Sequence, residues 1–220
     1  MKVLDYEKIV NSVASLCREA AVSLDSKTEE MLRLAAEKAS KLESGEASRE
    51  ASAETLGRKN CIPENCVMES YVLEKLLENA EIAREKNVPL CQDTGTAVFF
   101  VDMGTEVRIE GGTVYEAINE GTAKGYREGY LRKSIVKDPL FDRTNTGDNT
   151  PPVVHLSLSP GERLSIMVLL KGAGSENMGR TAMLTPGAGI GGVIDFVVQT
   201  VVAAGGNPCP PTVVGVGVGG

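Results

Sequence analysis

The chain has 220 residues, a formal net charge of −7 and 42% hydrophobic content. That size and balance suit one large domain or two small ones, with a core that needs no disulfide staples. The acidic balance argues against a nucleic-acid protein, which needs a basic face, and it leaves any anionic substrate to be drawn by local positive groups.

The opening "MKVLDYEKIV" lacks the basic-then-apolar pattern of a secretory signal. The apolar run near Ile190–Ala204 is interrupted by Asp195, Gln199 and Thr200 and flanked by glycines, so it reads as too short and too polar for a membrane span. Five cysteines, an odd number without an export signal, read as reduced thiols in a cytoplasmic protein.

In chain order, "LDYEKIVNSVASLCREAA" places Ile9, Val13, Leu16 and Ala20 at helical spacing, with Asp5 as a cap. Ser26 and Glu29 make a capping-box pattern before "MLRLAAEKASKLE". "SREASAETLGRKN" reads as a further, polar helix. "VMESYVLEKLLENAEIAREKN" reads as an amphipathic helix with Val72, Leu76, Leu77, Ala80 and Ala83 on one face, ending before Pro89.

Beyond Pro89 the pattern changes. "TAVFFVDMG" is a strand by its β-branched and aromatic content. "TVYEAINEGTAKGYREGYL" is a helix with a Thr113–Glu116 capping box. Residues 137–152 form a loop long enough to suggest function. "VVHLSLS" and "LSIMVLL" are strands around a Pro160-Gly161 turn. "KGAGSEN" is a polar glycine loop, "GIGGVIDFVVQTVVAAGG" a helix and "TVVGVGVGG" a buried glycine-rich strand. The expected fold class is α+β: a helical part over residues 1–88, then a mixed α/β part over residues 89–220 that carries the glycine-rich loops.

Several residues offer chemistry, and each has a plain structural reading beside it. Cys61 and Cys66 form a C-x4-C pair without a second knuckle, so two ordinary thiols fit better than a metal site. Cys17 falls on an apolar helix face and reads as core. Cys91 and Cys209 each sit in a loop beside proline, "VPLCQD" and "NPCPPT". Such stiffened loops suit a fixed thiolate, and the residues alone leave metal ligation and ordinary loop thiols both open. The glycines of "KGAGSEN" and "GAGIGG" can expose N–H groups to an anion, or simply serve tight turns. Arg132 and Lys133 can stabilise a helix C-terminus or clamp a carboxylate. His155, the only histidine, sits in a strand pattern, which gives little support to a Ser-His-Asp or Cys-His system.

Taken together, "PLCQDTGTA", "KGAGSENMGR" and "AGGNPCPPTVVGVGVGG" closely resemble the iron–sulfur hydro-lyases, the family of class I fumarate hydratase and L-tartrate dehydratase. The match is to the N-terminal, or alpha, part, and runs from the helix before Cys91 to the end of the chain. The resemblance implies a [4Fe–4S] cluster held by three cysteines, with one iron left open as a Lewis acid toward substrate. Cys91 matches the first metal ligand and Cys209, in the "CPP" motif, the second. Gln92 and Asp93 match substrate-contacting positions. Arg132 resembles the arginine that grips a substrate carboxylate, and Gly174 the glycine whose N–H meets substrate. Asp93 is the catalytic candidate, handling the proton of the leaving hydroxyl.

In the family, the third cysteine and a catalytic histidine lie downstream of the "CPP" motif, and Cys17, Cys61, Cys66 and His155 do not match them. The expectation is therefore an alpha subunit that is C-terminally truncated, inactive alone, and completed by a beta subunit or C-terminal domain in an oligomer. The expected reaction is reversible hydration of fumarate, a small dicarboxylate, to malate. L-tartrate dehydration is the alternative substrate reading. A non-catalytic docking domain for the beta subunit is the alternative from another class, and a nucleotide-binding domain using "GAGIGG" is disfavoured because the acidic residue expected beyond the glycines is missing. Neither nucleic acid nor membrane is an expected partner.

Overall fold

The computed structural model describes residues 1–43 and 63–219. The polar helix read at "SREASAETLGRKN" and Cys61 lie outside the described residues, as does the side chain of Cys66. The chain forms two compact units. One comprises Met1–Val3, Asp93–Arg108 and Arg132–Gly220, and the other Leu4–Gln92 and Ile109–Leu131.

The second unit is helical. Helix α1 (Tyr6–Val22) begins where Asp5 accepts the Lys8 N–H at 2.8 Å, the cap read from the sequence. Its buried stripe is Ile9, Val10, Val13, Ala14, Cys17 and Ala21. Helix α2 (Ser26–Glu43) is capped one residue earlier than expected. Asp25 accepts the amides of Lys27 and Thr28, both at 3.1 Å, because an aspartate already stands before the serine. Glu29 is thereby released from capping and instead pairs with Arg33 at 2.7 Å and Arg84 at 3.2 Å. Helix α3 (Pro63–Lys86) buries Leu73, Ala80 and Ala83, while Val72 stays exposed. The buried face therefore includes Leu73, seven residues before Ala80, and Ser70, rather than Val72.

Helix α4 (Val114–Glu128) carries the expected capping box, with Glu116 N–H donating to Thr113 Oγ1 at 3.2 Å and Thr113 N–H to Glu116 Oε2 at 2.8 Å. It packs on α1 at backbone distance. A Cβ on Gly121 would stand 2.6 Å from Val13 Cβ, and one on Gly125 would stand 2.9 Å from the Ala14 carbonyl oxygen. Only hydrogen fits at these two positions. Tyr126, Ile118 and Ala117 fill the seam, all fully buried. Arg18–Glu128 at 2.8 Å and Tyr6–Glu120 at 3.0 Å line its rim.

The other unit is built on a three-stranded sheet of order β4-β2-β5. The central strand β2 (Thr96–Gly104) alternates cleanly: Ala97, Phe99 and Val101 are buried, and Phe100 is exposed. Strand β4 (Val153–Ser159) pairs with β2 in parallel, with Val101 opposite Leu156. Strand β5 (Leu164–Lys171) pairs with it antiparallel, with Thr96 opposite Lys171. The Pro160-Gly161 turn thus links two strands that do not pair with each other but take opposite edges of β2. It is pinned under the end of β2, where Glu106 N–H donates to Gly161 O at 2.9 Å and Gly104 N–H to Arg163 O at 2.7 Å. Two short strands absent from the sequence reading, β1 (Lys2–Asp5) and β3 (Val107–Glu110), form a separate two-stranded sheet.

After β5 come a one-turn helix, α5 (Ala173–Glu176), a 3-10 turn at Pro186–Ala188 and helix α6 (Gly189–Ala204). Two expectations are corrected here. The 19 residues Pro186–Ala204 are long and apolar enough to cross a membrane by length and composition alone. The 3-10 turn extends the apolar run upstream, and Thr200 hides its hydroxyl by donating to the Phe196 carbonyl at 2.7 Å. Asp195 remains mid-helix, where insertion would cost about 3 kcal/mol. The tail "TVVGVGVGG" is no buried strand: it forms no ladder, and Val213 is 86% exposed. Its alternation satisfies the strand pattern, but residues 212–219 pair with neither β4 nor β5, the two edges of the sheet.

The α1–α4 seam makes a direct prediction. Gly121→Ala or Gly125→Ala should lower unfolding stability in urea by about 1–3 kcal/mol, the scale of overpacking. Gly187→Ala, where a Cβ meets nothing within 4 Å, should stay within about 0.5 kcal/mol of the parent.

Candidate functional site

Asp93 opens the sheet-bearing unit, directly before β2. Its Oδ1 accepts the Gly95 N–H at 3.0 Å, a tight turn in which the side chain replaces a backbone acceptor. The other carboxylate oxygen faces Gly172, 3.3 Å from the position a Cβ would take there. Gly95 has a φ of +57°, and a Cβ on it would collide with the Lys171 carbonyl. Glycine at 95 is therefore required twice, for its left-handed backbone and for the close approach of the β5 exit. Through these contacts the "DTG" and "KGAG" segments lie side by side.

Arg132 is brought to the same turn through the backbone. Buried Thr94 donates its hydroxyl to the Arg132 carbonyl at 3.1 Å, while the Arg132 side chain is exposed and has no ion-pair partner among the described residues. Gly174 is the second residue of α5, where backbone N–H groups have no acceptor within the helix. Space is open where its Cβ would stand. Lys171 pairs with Glu176 at 2.9 Å, so its charge is largely matched within the loop. Arg132 is thus an exposed cation whose backbone is hydrogen-bonded to the Asp93 turn.

Cys209 belongs to this unit as well. It is exposed, takes a left-handed φ of +56° and precedes a cis Pro210-Pro211 bond. Its N–H donates to Gly206 O at 3.2 Å, and nearby Asn207 reaches Met178 Sδ at 3.6 Å. The "NPCPP" loop is thereby held beside the segment that follows α5. Cys91 and Gln92, both exposed, end the helical unit. The residue before them is fixed there: Leu90 N–H donates to Ala21 O at 2.8 Å, and Leu90 O accepts from Asn79 at 2.9 Å.

The sequence reading missed Asn149. Fully buried, it accepts the amides of Ser134 at 2.7 Å and Ile135 at 3.2 Å on Oδ1, and donates from Nδ2 to Gly95 O at 2.9 Å. Its signal was the long polar loop over 137–152, which the structure shows to be pinned at its base. Thr146 N–H donates to Ile135 O at 3.0 Å, and Lys137 N–H to Thr144 O at 2.9 Å. His155, on β4, stacks on exposed Phe100, ring centroids 5.0 Å apart.

Thiolates in loops are the right donors for an iron–sulfur cluster. Among the described residues, however, no three His, Cys, Asp or Glu side chains gather into a group able to hold a metal ion. The described residues thus supply donors of the right kind but not a complete three-cysteine site.

Comparison with known proteins gives the chain its relatives. Residues 54–220 match the family model described as fumarate hydratase (Fumerase). A putative L(+)-tartrate dehydratase subunit alpha of Methanocaldococcus jannaschii is 37% identical over 217 residues, covering 97% of this chain and 67% of that one. The L(+)-tartrate dehydratase subunit alpha of Escherichia coli O157:H7 is 34% identical over 162 residues, covering 70% of this chain and 52% of its own. The chain thus spans about two thirds of the first relative and about half of the second. It belongs to the fumarate hydratase family.

The thiols separate on burial. Burial pushes the Cys17 thiol up to about 12, so at pH 8 it stays protonated and walled in. Brief iodoacetamide treatment of the native chain at pH 8, mapped by mass spectrometry, should label Cys91 and Cys209 and leave Cys17 unmodified until urea is added.

Proposed function

We propose, from this family membership and the geometry of the Asp93 turn, that the chain is the alpha subunit of an iron–sulfur hydro-lyase acting on a small dicarboxylate. The names of the relatives favour L(+)-tartrate over fumarate, which led the sequence reading without a residue to decide it. The observation that carries the proposal is the joining of three loops at one turn. Asp93 abuts Gly172, with Gly174 two residues beyond it, and Thr94 holds the Arg132 backbone.

The chemistry of these groups suits removal of water from a hydroxy acid. Such a substrate brings carboxylates, whose charge the −7 chain opposes overall. The Arg132 guanidinium offers a planar fork for a carboxylate, and the Gly174 N–H adds a neutral donor. Gln92 can donate and accept toward substrate oxygens. Asp93, with one oxygen already fixed by Gly95 N–H, keeps its carboxyl in one orientation. That is what a group passing a proton to a departing hydroxyl requires. Loss of one water from tartrate leaves an enol that becomes oxaloacetate; the same loss from malate leaves fumarate.

Cys91 and Cys209 are the cluster ligands in this proposal, assigned by their motifs. A beta subunit is the proposed partner, since the relatives are named as alpha subunits. A cytoplasmic setting is proposed because it would keep such thiols reduced.

The test is anaerobic reconstitution of the chain, in its full-length alpha form, with its beta partner and iron and sulfide. Dehydration of L(+)-tartrate to oxaloacetate should exceed hydration of fumarate in kcat/KM. Asp93→Asn should retain bound iron and lose about 100-fold or more in kcat, the scale of general acid–base catalysis. Cys91→Ser and Cys209→Ser should each lose bound iron. Undiminished iron content and turnover in both serine variants would remove the basis of the assignment.

A further inference from the structure

We infer that Asn149 is a positioning residue of the substrate site, one amide that holds the Arg132 segment and the Asp93 turn in register. The inference rests on the dicarboxylate reading above and extends it to a residue outside the three motifs.

The geometry is specific to asparagine. A carboxamide presents an acceptor oxygen and a two-hydrogen donor nitrogen from one short, flat group. Here the oxygen takes two successive amides, Ser134 and Ile135, and the nitrogen donates to the Gly95 carbonyl. The first two follow Arg132 by two and three residues. Gly95 is the residue whose N–H fixes Asp93 Oδ1. One side chain therefore links the segment bearing the cation to the turn bearing the carboxylate. Its backbone φ of +64° is left-handed, a conformation asparagine tolerates better than most residues. At full burial, every lost partner leaves a polar group without water to replace it.

The neighbouring contacts reinforce the same register. Thr94 Oγ1 holds the Arg132 carbonyl at 3.1 Å, and Asn145 Nδ2 holds the Lys133 carbonyl at 2.9 Å. Residues 132–135 are thus fixed from both sides of the chain, by carbonyls on one and amides on the other. Thr94 and Asn149 both reach the turn at Asp93–Gly95. Misplacing that turn against Arg132 by about 1 Å is enough to cost roughly 100-fold in rate.

The experiment uses the reconstituted alpha–beta enzyme in three forms: parent, Asn149→Gly and Asn149→Asp. Asn149→Gly keeps the left-handed backbone and removes all three bonds. Asn149→Asp keeps an acceptor for Ser134 and Ile135 but cannot donate to Gly95. Hydrogen exchange at the Ser134 and Ile135 amides should quicken about tenfold or more in Asn149→Gly and remain near parental in Asn149→Asp. KM for tartrate should rise about tenfold in Asn149→Gly. In Asn149→Asp the loss should fall mainly on kcat, since only the Asp93 turn is loosened. Should Asn149→Gly fail to fold, the kcat-weighted loss in Asn149→Asp carries the test. Parental kinetics in the variants beside an active parent overturn the positioning role alone. A parent that turns over no dicarboxylate overturns the functional reading and the positioning role with it.

Discussion

The Lys171 carbonyl lies so close to residue 95 that no side chain fits there. That contact is where the end of β5 meets the start of β2, one residue beyond the Thr96–Lys171 pair of the ladder. Sheet register and site geometry are therefore one constraint. A slip of β5 along β2 would carry Gly172 and Gly174 away from Asp93. The Asp93 carboxyl is held by the Gly95 amide, and the Gly95 carbonyl is held in turn by Asn149. Every segment assigned to the substrate is tied to this residue or to its neighbours.

Much of the helical unit was legible in the sequence because its signals are local. Asp5 and the Thr113–Glu116 box cap α1 and α4 where the pattern places them. The α1 stripe appears at the expected spacing, displaced by a residue at some positions. What local patterns could not give is which helix meets which. The α1–α4 partnership depends on Gly121 and Gly125, which a periodicity reading treats as weak points in a helix and which the fold uses to bring two backbones together. The same limit explains Val72. It satisfies apolar spacing with Leu76, but the stripe that α3 buries runs through Ser70 and Leu73 instead.

The site shows the opposite balance. Its motifs were recognisable as a set, and Asp93, Arg132 and Gly174 fall in one unit around a turn. The residue that links two of them was not recognisable. Asn149 sits in "TNTGDNTPP", where asparagine reads as ordinary loop composition. Its role appears only when segments more than fifty residues apart are folded together. The exposed valines of the tail make the complementary point. Alternation of valine and glycine suggests a strand, but a strand exists only where another lends its hydrogen bonds.

In the proposed enzyme the Asp93 turn, Arg132 and the α5 segment form one carboxylate-binding and proton-handling site. An anaerobic crystal structure of the alpha–beta enzyme with L(+)-tartrate bound tests it most directly. One substrate carboxylate should lie in bidentate contact with the Arg132 guanidinium at about 2.7–2.9 Å. Asp93 should lie within hydrogen-bond distance of a substrate hydroxyl. Tartrate bound with its carboxylates away from Arg132, and with Asp93 out of reach of either hydroxyl, would contradict it.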